Sequence, residues 1–284
     1  MKIAIFGNEY QSGHVQAIAE LAHAIVDSGM ELAFEQVFYN SLQGLDIPAC
    51  HTFDCHRLPA CDVALSLGGD GTFLTTVMWM APLQVPIMGI NTGHLGYLTA
   101  YRLDEARHAV QALQRGDYRI EERTMLTVTC DGADIGHPYA LNDVAILRHD
   151  SSAMLEMETA LNGDYLTTYK GDGLVVSTPT GSTAYNLSAG GPIMAPDTRC
   201  LVLSPLSPHS LTMRPLVVND NDVIHIHVHS RASHFQVSID GETIVCPINA
   251  HVTIERAAFN ARVVLDKEHS FAATLRQKLF WGTH

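Results

Sequence analysis

Apolar positions in the first part of the chain alternate between short solid runs and longer stretches with helical spacing. Residues 2–7, 62–67 and 86–91 are compact apolar runs of the length of a buried strand. After the first of them, Val15, Ile18, Leu21, Ala22, Ile25 and Val26 recur at the three- and four-residue spacing of an amphipathic helix over 14–27, and Gly29 stands at its C-cap. A strand over 31–37, a helix over 73–80 and another over 104–113, with Gly116 just beyond it, continue the series. Alternation of this kind predicts a parallel sheet with helices on its faces.

Near residue 118 the pattern changes. Short β-like runs follow at 123–130, 139–148, 155–161, 174–178, 222–229 and 234–239. Asp131-Gly132, Asn162-Gly163 and Asp240-Gly241 punctuate them as turns, which predicts a mostly antiparallel β domain. The expected division is an α/β domain over 1–118 and a β-rich domain over 119–263. A C-terminal segment over 264–284, helical near 271–280, is expected to pack back on the first domain.

Composition narrows the function classes. With 46% hydrophobic and 17% charged residues the 284-residue chain can bury a substantial core. A formal net charge of −13 disfavours nucleic acid, whose phosphates demand Lys and Arg. It does not exclude small polyanions, which backbone amides, a helix N-terminus or a metal can hold. No apolar run has the length of a signal-peptide core or of a membrane span, so a cytoplasmic protein is expected. The six cysteines are then expected as free thiols. Cys50, Cys55 and Cys61, with His51 and His56 among them, fit no C-x-x-C spacing, and no zinc site is expected there. His225, His227 and His229 would share one strand face. They could catch a transition metal, but the polar outer face of a half-buried strand accounts for them, and no metal ligand is assigned.

Four segments carry candidate chemistry. Gly68-Gly69-Asp70-Gly71-Thr72 follows a buried strand and opens a helix. Such a turn offers amides to a phosphate, and Asp70 brings a carboxylate able to act on a hydroxyl. Asn91-Thr92-Gly93-His94-Leu95-Gly96-Tyr97-Leu98 follows the next strand, at the same carboxyl edge of the sheet, where open α/β sheets bind ligands. Asn142-Asp143 interrupts an apolar run and needs polar partners. Lys170-Gly171-Asp172-Gly173 then leads through a strand into the hydroxyl-rich turn from Ser177 to Ser188, whose density exceeds what a turn requires. The stretch 204–215 reads as a rigid loop and Asp240-Gly241-Glu242 as a hairpin turn.

In this order the segments resemble the NAD kinase family over residues 62–245. The Gly-Gly-Asp-Gly-Thr turn is shared with lipid kinases of the diacylglycerol and sphingosine type and with phosphofructokinases. Thr178-Pro179-Thr180-Gly181-Ser182-Thr183-Ala184-Tyr185 is the more specific element, and its pairing with the first turn decides the resemblance. The resemblance implies a Rossmann-like α/β N-terminal domain and an antiparallel β-sandwich C-terminal domain. It also implies a homo-oligomer of two or four chains, with NAD and ATP as small-molecule substrates. Magnesium or another divalent cation would accompany ATP. By the same resemblance Asp70 is the general base for the ribose hydroxyl, and Gly68, Gly69, Gly71 and Thr72 cradle phosphate. Asn142, Asp143, Lys170, Asp172, Thr183, Ala184, Tyr185, Asn186, Leu187, Ser188 and Glu242 are dinucleotide positions. The sequence departs from the family in having Asn142-Asp143 for Asn-Glu and Tyr97 for a common Phe. The expected reaction is transfer of the γ-phosphoryl of ATP to the 2′-hydroxyl of the adenosine ribose of NAD. The alternatives are a lipid kinase of the same superfamily, disfavoured by the 178–185 run, and a non-catalytic NAD(P) sensor, disfavoured by the intact Asp70 turn.

Overall fold

The computed structural model describes residues 1–8, 14–93, 96–149 and 153–281. The chain divides into two compact units, Met1–Glu122 with Ala261–His284, and Arg123–Asn260.

The first unit is an α/β layer built on one sheet. Its strands lie in the order His51–Phe53, Glu31–Glu35, Lys2–Gly7, Val63–Leu67, Ile87–Asn91, Ala261–Leu265 and Arg119–Arg123, with Tyr101–Arg102 pairing beside Ile87–Asn91. The five strands from His51–Phe53 to Ile87–Asn91 pair in parallel. Val63–Leu67 and Ile87–Asn91 are buried at every position, which is why they read as unbroken apolar runs. The strand order starts from Lys2–Gly7, runs one way through Glu31–Glu35 to His51–Phe53, then reverses to Val63–Leu67. That reversal puts a topological switch point at the carboxyl ends of Lys2–Gly7 and Val63–Leu67, whose Gly7 and Leu67 are in register.

The strand expected over 31–37 stops at Glu35. Its carboxylate accepts the N–H groups of Val37 (2.9 Å) and Phe38 (2.7 Å), and this side-chain cap starts the helix Gln36–Ser41. The strand Ala261–Leu265, which straddles the boundary expected after residue 263, joins the parallel sheet of the first unit: Val263 pairs with Ile87, and Val264 is fully buried. The helix Phe271–Leu279 follows it in the same unit.

The second unit is a β-sandwich. One sheet orders Leu216–Asn219, Cys200–Leu206, Gly173–Ser177, Asp143–Arg148, His234–Ile239 and Glu242–Pro247. The other orders Asp164–Gly171, Leu155–Leu161, Ile224–His229, His251–Arg256, Leu126–Cys130 and Tyr139–Ala140. Every pairing within them is antiparallel. Val144, Ile146, Val176 and Val237 of the first sheet share one core with Val128, Met157, Ile226 and Ile254 of the second. The run expected over 139–148 is two strands in different sheets. It breaks where the N–H groups of Leu141, Asn142 and Asp143 leave the ladder and turn onto the Asp240 carboxylate. The loop expected over 204–215 begins inside a strand, because Ser204 and Pro205 pair with Val175 and Leu174.

Candidate active site

The glycine turn lies at the switch point. Gly69 is the N-cap of the helix Asp70–Met80, and Asp70 is that helix's first residue. Gly68 is buried against Thr72: a Cβ there would stand 2.3 Å from the Thr72 hydroxyl oxygen, so only glycine lets the chain fold back on itself. Gly69 and Gly71 are different, since a Cβ on either meets nothing within 4 Å. Asn8, which follows the strand Lys2–Gly7, donates to Thr72 Oγ1 at 3.3 Å and ties the two strand ends together.

The second motif reaches the same carboxylate. Tyr97 N–H donates to Asp70 Oδ2 (2.9 Å) and Leu98 N–H to Asp70 Oδ1 (3.2 Å). Gly96 packs so closely that an added Cβ would fall 1.8 Å from Asp70 Oδ1. Asn91 shapes this loop, accepting from Gly93 N–H at 2.6 Å and donating to Thr99 Oγ1 at 3.1 Å. His94 and Leu95 lie outside the described residues. Among the described residues the Asp70 carboxylate is thus held by two backbone donors, one on each oxygen, and each oxygen has a second acceptor lobe. A cleft lined by His14, Asn91, Thr92, Gly93 and Arg102 opens at the same sheet edge.

Two side chains near Asp70 respond to it. Burial, and then the Asp70 charge, raise the Tyr97 phenol above its usual range. Partial burial holds the Lys278 ammonium below the usual lysine range, an effect the Asp70 charge opposes. Lys278 belongs to the helix Phe271–Leu279 and is the residue of this region that the sequence reading missed. A lone lysine in a C-terminal helix carries no motif that could have signalled it.

In the second unit the predicted residues form a buried polar knot. Asp240 occupies a left-handed turn position (φ 48°), and its carboxylate accepts three N–H groups, from Leu141 (2.7 Å), Asn142 (2.8 Å) and Asp143 (3.0 Å). Thr178 N–H donates to the Asn142 carbonyl at 2.9 Å, and Gly181 lies over the same carbonyl so closely that a Cβ would be 2.2 Å from its oxygen. The Asn142 side-chain Oδ1 is buried and has no partner. Such an acceptor is unfavourable unless a ligand donor meets it. Asp143 is buried, and its carboxyl rises to about 7, first through burial, then through the neighbouring Asp240 charge, against a hydrogen bond from the Tyr185 backbone. Asp240 rises to about 6 through burial, with its three N–H donors opposing the rise.

The hydroxyl-rich turn is a short 3-10 segment, Thr180–Thr183, and a single helical turn, Tyr185–Ser188. Within it the roles separate. Asn186 is fully buried; its amide donates to the carbonyls of Ser182 (3.1 Å) and Pro192 (3.0 Å) and accepts from Ser204 Oγ (2.7 Å). Thr183, Ala184 and Leu187 are half-buried, while Tyr185 and Ser188 are exposed. Lys170 pairs with Glu156 at 3.0 Å, and Asp172 with Arg148 at 2.9 Å. Glu242 is exposed at the start of the strand Glu242–Pro247. The structure therefore gathers Asn142 and Asp143 on the Asp240 carboxylate, with the Tyr185 backbone on the Asp143 carboxyl, whereas Lys170, Asp172 and Asn186 already have protein partners. Asp240 was read from sequence only as part of a turn, which is its backbone role but not its side-chain role.

A glycine turn at the switch point of a parallel sheet, beside a fixed carboxylate, is an arrangement with which α/β enzymes meet phosphate-bearing ligands. Residues 3–118 match the model of the ATP-NAD kinase N-terminal domain and residues 141–265 that of the ATP-NAD kinase C-terminal domain. The chain is 41% identical to an NAD kinase of Bacteroides fragilis over 286 residues and 44% identical to one of Porphyromonas gingivalis over 285, in each case covering 99% of this chain and 98% of the relative. In fold it is similar to the yeast NADH kinase complexed with NADH (TM-score 0.90, 22% identity, 100% of this chain and 89% of that one). It is also similar to an NAD kinase from Archaeoglobus fulgidus in complex with ATP (TM-score 0.74, 26% identity, 99% of each chain). The chain belongs to the ATP-NAD kinase family.

Proposed function

We propose that this protein transfers the γ-phosphoryl group of ATP to the 2′-hydroxyl of the adenosine ribose of NAD, forming NADP. The observation that carries the mechanism is the Asp70 carboxylate, held by the amides of Tyr97 and Leu98 at the helix start beside the open Gly69 and Gly71 backbone. In this reading Asp70 accepts the proton of the attacking hydroxyl while the turn's amides face the phosphates, so positioning and charge neutralisation do most of the work. Lys278 adds a cation near Asp70. Asn142 Oδ1, Asp143 and the exposed Tyr185 face the dinucleotide, and the unpartnered Oδ1 is the acceptor a nucleotide donor would fill.

The donors beside the turn are oxygens of Asp70, Thr72 and Asn91, a set that suits a hard cation such as magnesium. With only one carboxylate among them, the substrate phosphates would complete most of its shell. Bound there with ATP, the ion supplies neutralisation of the triphosphate charge. We take the protein as a homo-oligomer on the family resemblance, and as cytoplasmic on the sequence pattern described above.

Incubation with ATP, magnesium and NAD, followed by an NADP-specific dehydrogenase, tests the reading. Wild type is expected to form NADP. NAD binding without NADP formation, with NADH and polyphosphate failing as well, would replace the enzyme with a sensor.

A further inference from the structure

The outer face of one sandwich sheet carries a cluster that phosphoryl transfer leaves unused. Ile224, Ile226 and Val228 of the strand Ile224–His229 are fully buried, so His225, His227 and His229 lie on the opposite face. Adjacent strands align further groups with the middle one: Glu158 is directly opposite His227 on one side, and His251 on the other. The rings of His227 and His229 are 3.9 Å apart between centres, and His251 stacks on His227 at 4.1 Å. One donor atom each from Glu158, His227 and His229 lies within 4.8 Å of the other two.

We propose that Glu158, His227 and His229 bind one divalent transition metal of the zinc class, with water completing the shell. Two imidazole nitrogens and one carboxylate oxygen are a donor set that zinc takes, whereas magnesium prefers oxygen alone. Tetrahedral bonds of about 2.0–2.1 Å place donors roughly 3.3 Å apart. Closing from the 4.8 Å limit therefore needs roughly 1.5 Å of side-chain movement, which three partly or fully exposed side chains can make.

The orientation of the rings points independently to a ligand. His227 Nε2 meets the Asn249 carbonyl at 3.2 Å, and His229 Nδ1 meets Asn249 Oδ1 at 3.3 Å. Both partners are acceptors, so these ring nitrogens carry the protons and the other nitrogen of each ring keeps its lone pair. Asn249 is itself fixed, in a left-handed turn (φ 65°) with its N–H on the Val228 carbonyl at 2.9 Å. A carbonyl behind each imidazole is the arrangement that orients metal-ligating histidines. His225 is outside this arrangement and bonds Thr253 instead, at 3.2 Å. A bound ion would tie the strands Leu155–Leu161 and Ile224–His229 together and stabilise the folded chain by mass action.

Zinc alone, titrated calorimetrically into the metal-free full-length protein, is expected to bind at one equivalent and raise Tm. The double variant His227→Ala/His229→Ala should weaken binding by at least about 100-fold, and Asn249→Gly, which keeps the turn and the carbonyl behind His227 but removes the Oδ1 behind His229, by about 10-fold. His225→Ala should bind as wild type does. Circular dichroism and NADP formation guard against misfolding of the double variant, and the exposed Glu158→Gln, expected to lose at least about 10-fold, replaces it if it fails to fold. Cobalt(II) separates this cluster from the six cysteines, since nitrogen and oxygen ligation shows no thiolate-to-cobalt charge-transfer band. Absence of zinc binding at micromolar concentration, weak uptake at several equivalents, undiminished binding by the variants, or a thiolate band would each overturn the assignment.

Discussion

An added Cβ at Gly69 or Gly71 meets no atom within 4 Å, whereas one at Gly181 falls 2.2 Å from the Asn142 oxygen and one at Gly191 1.9 Å from Asn186 Oδ1. The two turns are alike as strings of glycine and hydroxyl residues. In the first, backbone is left uncovered at a helix N-terminus, and the carboxylate beside it is held by amides alone. In the second, Gly181 and Gly191 lie against the protein's own carbonyls and amides, and several hydroxyls are spent on internal bonds: Ser177 on the Asn142 carbonyl, Thr178 on the Leu141 carbonyl, Ser182 on the Pro179 carbonyl. Glycine in a motif thus has two opposite physical meanings here. At Gly69 and Gly71 it leaves room for a ligand, and at Gly181 and Gly191, as at Gly68 beside Thr72, it lets the chain approach itself.

Removing the base gives the largest expected effect. Asp70→Asn should lower kcat by roughly 10²–10⁴-fold. The amide oxygen replaces only one of the two acceptors and its NH2 faces the other backbone N–H, so stability should also fall by about 1–3 kcal/mol while NAD binding persists. Steady-state kinetics paired with thermal unfolding would check this, and near-normal turnover would remove Asp70 from the mechanism.

The glycine contrast can be tested directly. Gly181→Ala forces a Cβ into a backbone carbonyl and should destabilise the fold by about 1–3 kcal/mol, measured by urea unfolding. Gly71→Ala lies in open space within a helix and should leave stability equal or up to about 1 kcal/mol higher. Its effect should appear instead as a raised KM for ATP. If Gly71→Ala destabilises and Gly181→Ala does not, the distinction between the two turns fails.

The same contrast explains what could be read from the chain unaided. The parallel strands were legible because burial on both faces makes solid apolar runs, as at 63–67 and 87–91. The Gly-rich turn was legible because its neighbours in sequence are its neighbours in space. Pairings made at long range left no local mark. The strand Ala261–Leu265 carries no local sign of the sheet it joins and is cut by the expected boundary, and Asp240 reads as a turn although its carboxylate anchors three amides about a hundred residues away. The helix Gln36–Ser41 was hidden by β-like apolar residues, and only the Glu35 cap decides it. For Lys170 and Asp172 the sequence supplied charge but not the partners, Glu156 and Arg148.

Within the second turn, Asn186 distinguishes scaffold from ligand contact. Asn186→Ala removes two donated bonds and leaves Ser204 Oγ buried without its acceptor. A loss of about 1–3 kcal/mol in stability is expected. Exposed Tyr185→Phe should leave stability within about 0.5 kcal/mol. Chemical denaturation of the two variants side by side would show whether the turn divides in this way.

The smallest effect expected is a pH dependence set by Asp143. Its carboxyl titrates near 7 in the folded chain against an ordinary value of 3.8, because burial and the Asp240 charge disfavour the anion. Asp240, which takes three N–H bonds, is the better stabilised anion of the pair. Between pH 4 and 7 the unfolded chain has released the Asp143 proton while the folded chain retains it. Stability from this group is therefore fully present below pH 4 and is lost as pH rises through 7. Asp143→Asn, which cannot ionise, should raise Tm by about 2–4 °C more at pH 8 than at pH 5, where only the first part of that loss has occurred. Thermal scans of wild type and variant across that range provide the measurement. An equal shift at both pH values would mean that the carboxyl is not neutral in the knot, and burial would then not set the second site apart from the first.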